Sequence, residues 1–143
     1  MNIWKVQPTP ELLHNFSVNT MADNLGIEIT EIGDDFIVGT MPVDQRTVQP
    51  MRLLHGGASV ALAETLGSMA SFMCVEDINK QSVVGVEINA NHLRSVSEGQ
   101  QVTGTVRPIR MGRTLHVWEI KIEDEENRLV CVSRLTVMVV DRR

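Results

Sequence analysis

The sequence lacks most features that would place it outside the ordinary globular proteins. Its 143 residues contain two cysteines, Cys74 and Cys131. Both stand in apolar surroundings with no Cys-x-x-Cys partner, so they read as buried free thiols rather than a disulfide or a metal site. No apolar run reaches the ~18 residues that a membrane span requires. The opening Met1-Asn2-Ile3-Trp4-Lys5 soon turns polar, where a secretory leader would stay apolar, and a cytoplasmic location is the expectation. Linkers, internal repeats and low-complexity segments are missing. So are a Gly-x-Ser-x-Gly elbow, a cysteine beside a histidine, and any cluster with metal-ligand spacing. A net charge of −5 and a pI near 5.3 argue against nucleic-acid binding. An anionic ligand would need a local basic patch against that background.

What is present is ordinary in bulk, with 43% apolar and 22% charged residues. That composition suits one folded domain, residues 1–143, large enough for a core of its own. After a short helical stretch around Glu11 to Phe16, Gly26 to Ile32 alternates apolar and polar residues, the period of a half-buried strand. Gly33-Asp34-Asp35 marks a turn, and Phe36 to Val43 reads as the second arm of a hairpin. Ala58 to Cys74 is free of proline and rich in Ala, Leu and Met, which predicts one long helix. Ser82 to Arg94, Gln101 to Arg110, Thr114 to Glu123 and Arg128 to Val140 are rich in Val, Ile and Thr. They are divided by Ser97-Glu98-Gly99, Met111-Gly112-Arg113 and Asp124 to Asn127, all at hairpin spacing. A helix apolar on almost every side must be enclosed. The expected fold is therefore α+β, a curved antiparallel sheet wrapped around one long central helix.

Within that helix Glu64 is the only ionisable side chain, among Val60, Ala61, Leu62, Ala63, Leu66, Met69 and Ala70. Burial of an unpaired carboxylate costs several kcal/mol, so such a group is normally paired, protonated or employed. Ser68, four residues on, shares its face, and Ser71 is nearly in line. A solvated polar stripe is the plain alternative. At the helix head, Gly56-Gly57 would let the backbone approach a ligand, and unpaired first-turn amides suit an oxygen gaining negative charge. A tight turn alone would also explain the two glycines. His55 precedes them, and Gln49 in the same loop can offer a side-chain amide.

The run Gln49-Pro50-Met51-Arg52-Leu53-Leu54-His55-Gly56-Gly57-Ala58-Ser59, followed by Leu62-Ala63-Glu64-Thr65-Leu66-Gly67-Ser68, resembles the hotdog-fold thioesterases related to the arthrobacter type of 4-hydroxybenzoyl-CoA thioesterase. Ile3-Trp4-Lys5, Met41-Pro42-Val43-Asp44, Asn89-Ala90-Asn91-His92 and Ser133-Arg134-Leu135 extend the likeness nearly end to end. The resemblance implies an acyl-CoA thioesterase assembled as a tetramer of two dimers, with active sites between subunits. Gln49, His55 and Gly56 would come from one subunit, Glu64 and Ser68 from its neighbour. Gly56 and Gln49 would polarise the thioester carbonyl, and His55 would assist there or at the departing thiolate. Glu64 would attack the carbonyl or activate water, with Ser68 positioning that water. Gly85, His92, Arg94, Arg113 and Thr114 would contact coenzyme A, which is part of the substrate; no separate cofactor is expected. The implied substrate is an aromatic acyl-CoA of the 1,4-dihydroxy-2-naphthoyl kind, as in menaquinone synthesis. Thioesters on a carrier protein form a second choice. The family commonly carries Phe-Gly where this chain has Met51-Arg52. Two further readings remain, a hotdog dehydratase and an acyl-CoA-binding module without turnover.

Overall fold

In the computed structural model, which describes residues 1–143, a six-stranded antiparallel sheet curls around one helix. The chain opens with α1 (Pro10–Ser17) and a single-turn α2 (Met21–Asn24), which the sequence pattern did not suggest. Thr9 caps α1 by accepting from the Leu12 amide at 3.1 Å, and Pro10 occupies a first-turn position where no amide hydrogen is needed. The strands β1 (Glu28–Ile32) and β2 (Ile37–Pro42) form the expected hairpin. The central helix α3 (Gly56–Phe72) follows, and then β3 (Gln81–His92), β4 (Gln101–Met111), β5 (Leu115–Glu123) and β6 (Leu129–Asp141).

The order across the sheet is β1-β2-β4-β5-β6-β3. This corrects one expectation. Ser97-Glu98-Gly99 does not close a hairpin, because β3 pairs with β6 while β4 pairs with β2. The crossing segment pairs instead with the loop that precedes α3. Leu54 N donates to Val96 O at 2.8 Å, Glu98 N to Arg52 O at 3.1 Å and Gly99 N to Val43 O at 2.8 Å. Its backbone groups are satisfied there, so hairpin spacing was no guide to pairing.

The helix starts two residues earlier than its apolar pattern predicts. His55 is the reason: its Nδ1 accepts from Gly57 N at 2.7 Å, and its carbonyl accepts from Ala58 N and Ser59 N. The helix lies very close to the sheet. Gly39 of β2 and Gly104 of β4 are direct cross-strand partners, and Leu66 fills the notch they leave. A Cβ on Gly39 would stand 2.8 Å from Leu66 Cδ2, and one on Gly104 would stand 2.9 Å from Leu66 Cδ1. Around this contact Leu62, Leu66, Trp118, Ile120, Ile122 and Leu135 are fully buried. Enclosure is one-sided, however. Val60, Ala61, Glu64, Thr65, Ser68, Met69 and Phe72 stay half-exposed on the face turned away from the sheet.

Further along the helix, Ser71 leaves the polar stripe where it was expected. It is fully buried, and its Oγ accepts from Trp118 Nε1 at 2.6 Å and lies 3.1 Å from His116 Nδ1. The helical repeat sets it on the sheet side of Glu64 and Ser68 on the other side. Both cysteines are free and buried. Burial pushes the Cys74 thiol up to about 12 and raises that of Cys131 as well.

Two outcomes are expected. Gly104→Ala drives a methyl group into Leu66 and should cost about 1–3 kcal/mol, read as a lower urea midpoint. Burial also holds the His116 imidazole below its ordinary value of 6.5. The unfolded chain therefore takes up a proton first as pH falls. Stability should decline as pH falls below about 6.5, and His116→Phe should flatten that decline in thermal melts at a series of pH values.

Candidate active site

Glu64 stands in the middle of α3, half-buried and facing β3. None of the ion pairs in the chain includes it. The carboxylate lies over Gly85, where an added Cβ would come within 2.8 Å of Oε2. Gly85 is also where the β3–β6 register shifts. A bulge and a missing side chain thus leave room for the carboxylate against the strand. Gly85 was expected as a coenzyme A contact; within the chain it sits beneath Glu64.

Ser68, one turn further along, lines an apolar groove of about 430 Å³ with Phe16, Met21, Met69, Phe72 and Val83. Phe16 and Phe72 meet edge to face there, with centroids 5.7 Å apart. Signals from α1 and β3 were needed to find this groove, and apolar residues so far apart in sequence gave none.

The donor half of the predicted site lies at the helix head. The amides of Gly57, Ala58 and Ser59 are all taken by His55, while Gly56 N has no partner. With Nδ1 accepting from a backbone amide, His55 carries its proton on Nε2 as a donor. Gln49 accepts from Met51 N through Oε1, which leaves its NH₂ group free to donate. Gln49, Gly56, His92, Arg94 and Ser59 line one cavity of about 430 Å³. His92 is so close that a Cβ on Gly56 would lie 2.8 Å from its Nε2. His55 opens on a smaller hollow of about 260 Å³ beside Gly57 and Thr47.

Two predicted groups stand elsewhere. Arg113 and Thr114 are exposed in the turn between β4 and β5, and Arg113 borders a different cavity at the far end of the helix. The two halves are also separate within one chain. Glu64 lies eight residues past Gly56, ~12 Å along a helix axis, too far for both to touch one thioester carbonyl.

The Met51-Arg52 departure has a backbone consequence. Arg52 takes φ 63°, in the left-handed region that glycine enters freely. Arg52 Nε donates to Glu98 Oε1 at 3.1 Å and its Nη2 pairs with Oε2 of the same carboxylate, which holds the turn in place.

Comparison with known proteins identifies the family of the chain and its fold. Residues 51–131 match the Thioesterase superfamily. The chain is 54% identical over 138 residues to the proofreading thioesterase EntH of Cronobacter turicensis, covering 96% of this chain and 98% of the relative. It is 50% identical over 138 residues to the 1,4-dihydroxy-2-naphthoyl-CoA hydrolase of Escherichia coli, covering 96% and 99%. Its fold superposes on the crystal structure of a thioesterase from Haemophilus influenzae with a TM-score of 0.92 at 52% identity, over 97% of this chain and 95% of that one. With the match running through the central helix and most of the sheet, the chain belongs to the thioesterase superfamily, as a thioester hydrolase of the hotdog fold.

Proposed function

We propose that the chain hydrolyses an aromatic acyl-CoA at a site shared by two copies, with Glu64 as the reacting carboxylate. One observation carries this reading: a half-buried carboxylate in no ion pair, one turn from Ser68 in an aromatic-walled groove and ~12 Å from the amide donors that the same reaction needs. A second copy resolves the separation. The β3 strand is twelve residues long and lies at the edge of the sheet, with its outer backbone groups unpaired. Antiparallel pairing of two such edges, in a register centred between Ile88 and Asn89, would set His92 of one copy beside Gly85 of the other. One copy's Gly56 then approaches the other copy's Glu64. A second interface, giving a dimer of dimers, is favoured by Val84, Met138 and Leu115. They stand in register on the outer face and are 48%, 39% and 40% exposed.

In that arrangement the Gly56 N–H and the Gln49 amide donate to the thioester oxygen as it gains charge. Glu64 attacks the carbonyl carbon to give a mixed anhydride, or takes a proton from water that attacks in its place. Ser68 holds that water. His55 Nε2–H donates to the oxygen or to the leaving thiolate. Either route adds one water across the C–S bond and releases the free acid and coenzyme A, which enters as part of the substrate. His92 and Arg94 line the cavity beside Gly56 and suit pantetheine and phosphate. Arg113 and Thr114 would reach the same nucleotide from the neighbouring copy, with Gly85 backing the carboxylate.

The groove beside Ser68 favours a flat aromatic acyl group, as in the relative named for 1,4-dihydroxy-2-naphthoyl-CoA and menaquinone precursors of that kind. Thioesters on a carrier protein are the second reading, favoured by the relative named as a proofreading thioesterase.

Glu64→Gln should lower kcat by about 10²–10⁴ while coenzyme A binding and the melting temperature hold. Thiol release from naphthoyl-CoA, benzoyl-CoA, fatty acyl-CoA and aryl-carrier-protein thioesters ranks the substrates. Binding of coenzyme A without any turnover would replace this reading with a binding module. Shared sites make a further prediction. Refolding inactive Gln49→Ala with inactive Glu64→Gln in equal amounts should restore about one quarter of wild-type activity, since mixed dimers hold one intact site. Sites confined to one chain would restore none.

A further inference from the structure

The central helix carries another cavity at its opposite end. It encloses about 500 Å³ and is bordered by Ile3, Lys5, Cys74, Met111, Arg113 and His116. Cys74 lies ten residues beyond Glu64, ~15 Å along the axis, so this space is separate from the carboxylate. Arg113 alone is shared with the residues assigned above to coenzyme A.

His116 decides what the cavity can hold. The side chain is only 2% exposed. Trp118 Nε1–H donates to Ser71 Oγ, and His116 Nδ1, at 3.1 Å, is the one acceptor within hydrogen-bond reach of the Ser71 proton, so the network is satisfied when Ser71 donates to Nδ1. The ring proton then stands on Nε2. That nitrogen has no partner in the chain, and His116 lines the cavity. The ring is almost wholly enclosed, and its Nε2 is open to the cavity, where a ligand acceptor can meet it. Charge at the mouth is positive on balance. Lys5 Nζ lies 3.3 Å from Glu76, while Arg113 takes part in no ion pair. The walls at Ile3, Met111 and Val139 are apolar.

We propose that this cavity is a second, non-catalytic site for a small carboxylic acid. Its carboxylate accepts from His116 Nε2–H beneath Lys5 and Arg113, and its apolar body lies against Ile3, Met111 and Val139. Acids released by thioester hydrolysis belong to this class, a link that rests on the activity argued above; the site itself does not.

The test is a titration of the enzyme with benzoate and with octanoate. Binding is read from the His116 Nε2–H resonance in the unmutated protein. It is read in parallel from Trp118 fluorescence in a Trp4→Phe background, where Trp118 is the one remaining tryptophan. Saturation by at least one acid is expected. Val139→Phe narrows the cavity while leaving Ser71, His116 and Trp118 in place as residues, and should weaken binding at least about tenfold. Glu64→Gln, which removes turnover, should leave the affinity within about twofold of wild type. The proposal is overturned if neither acid saturates, if Val139→Phe binds as wild type, or if Glu64→Gln abolishes binding and so assigns the acid to the catalytic groove. Saturation by inorganic phosphate alone overturns it too.

Discussion

Leu66 seated between Gly39 and Gly104 is the contact on which the arrangement turns. Side chains at those two positions would hold the helix off the strands. Their absence lets α3 settle into the curve of the sheet, and that fixes its rotation. Once Leu62, Leu66 and Ala70 face inward, the 3.6-residue repeat leaves no choice for the rest. Glu64 must face β3, Ser68 the groove under α1, and Ser71 the buried imidazole and indole. One packing event therefore sorts three polar residues of one helix into three environments.

Glycine has a second use beside Glu64 and at the helix head. Gly85 makes room for a carboxylate on a strand, and Gly56 makes room for His92 beside a free amide. At both positions the missing Cβ lets a polar group lie directly against backbone. Arg52 shows the opposite case, a left-handed turn held with a side chain present and tied down by Glu98. The two ends of the helix differ in consequence. Its head leaves the Gly56 amide without a partner, and its tail is stopped by Lys5 and Val6, close to the far cavity that His116 lines.

Much of the fold was legible because periodicity is a local property. The alternation of Gly26 to Ile32 and the proline-free run after Gly57 led to β1 and α3 within a few residues. The crossover at Ser97 to Gly99 was not legible, since spacing reports how far a chain can turn and not which strand it then meets. The same limit applied to Ser71. Its phase on the helix was right to within a fraction of a turn, but that fraction separates an open face from the core.

By itself the sequence determined the central helix, its lone carboxylate, the diglycine head and the membership of a thioesterase family, because those features depend on residues close together in the chain. Only the tertiary structure decided that Glu64 rests over Gly85, that Gln49, Gly56 and His92 share a cavity away from Ser68, and that Ser71 serves His116 and Trp118. Each of these joins groups that are distant along the chain. Sheet order and helix rotation bring them together, and both are set by packing of the whole domain rather than by any local run of residues.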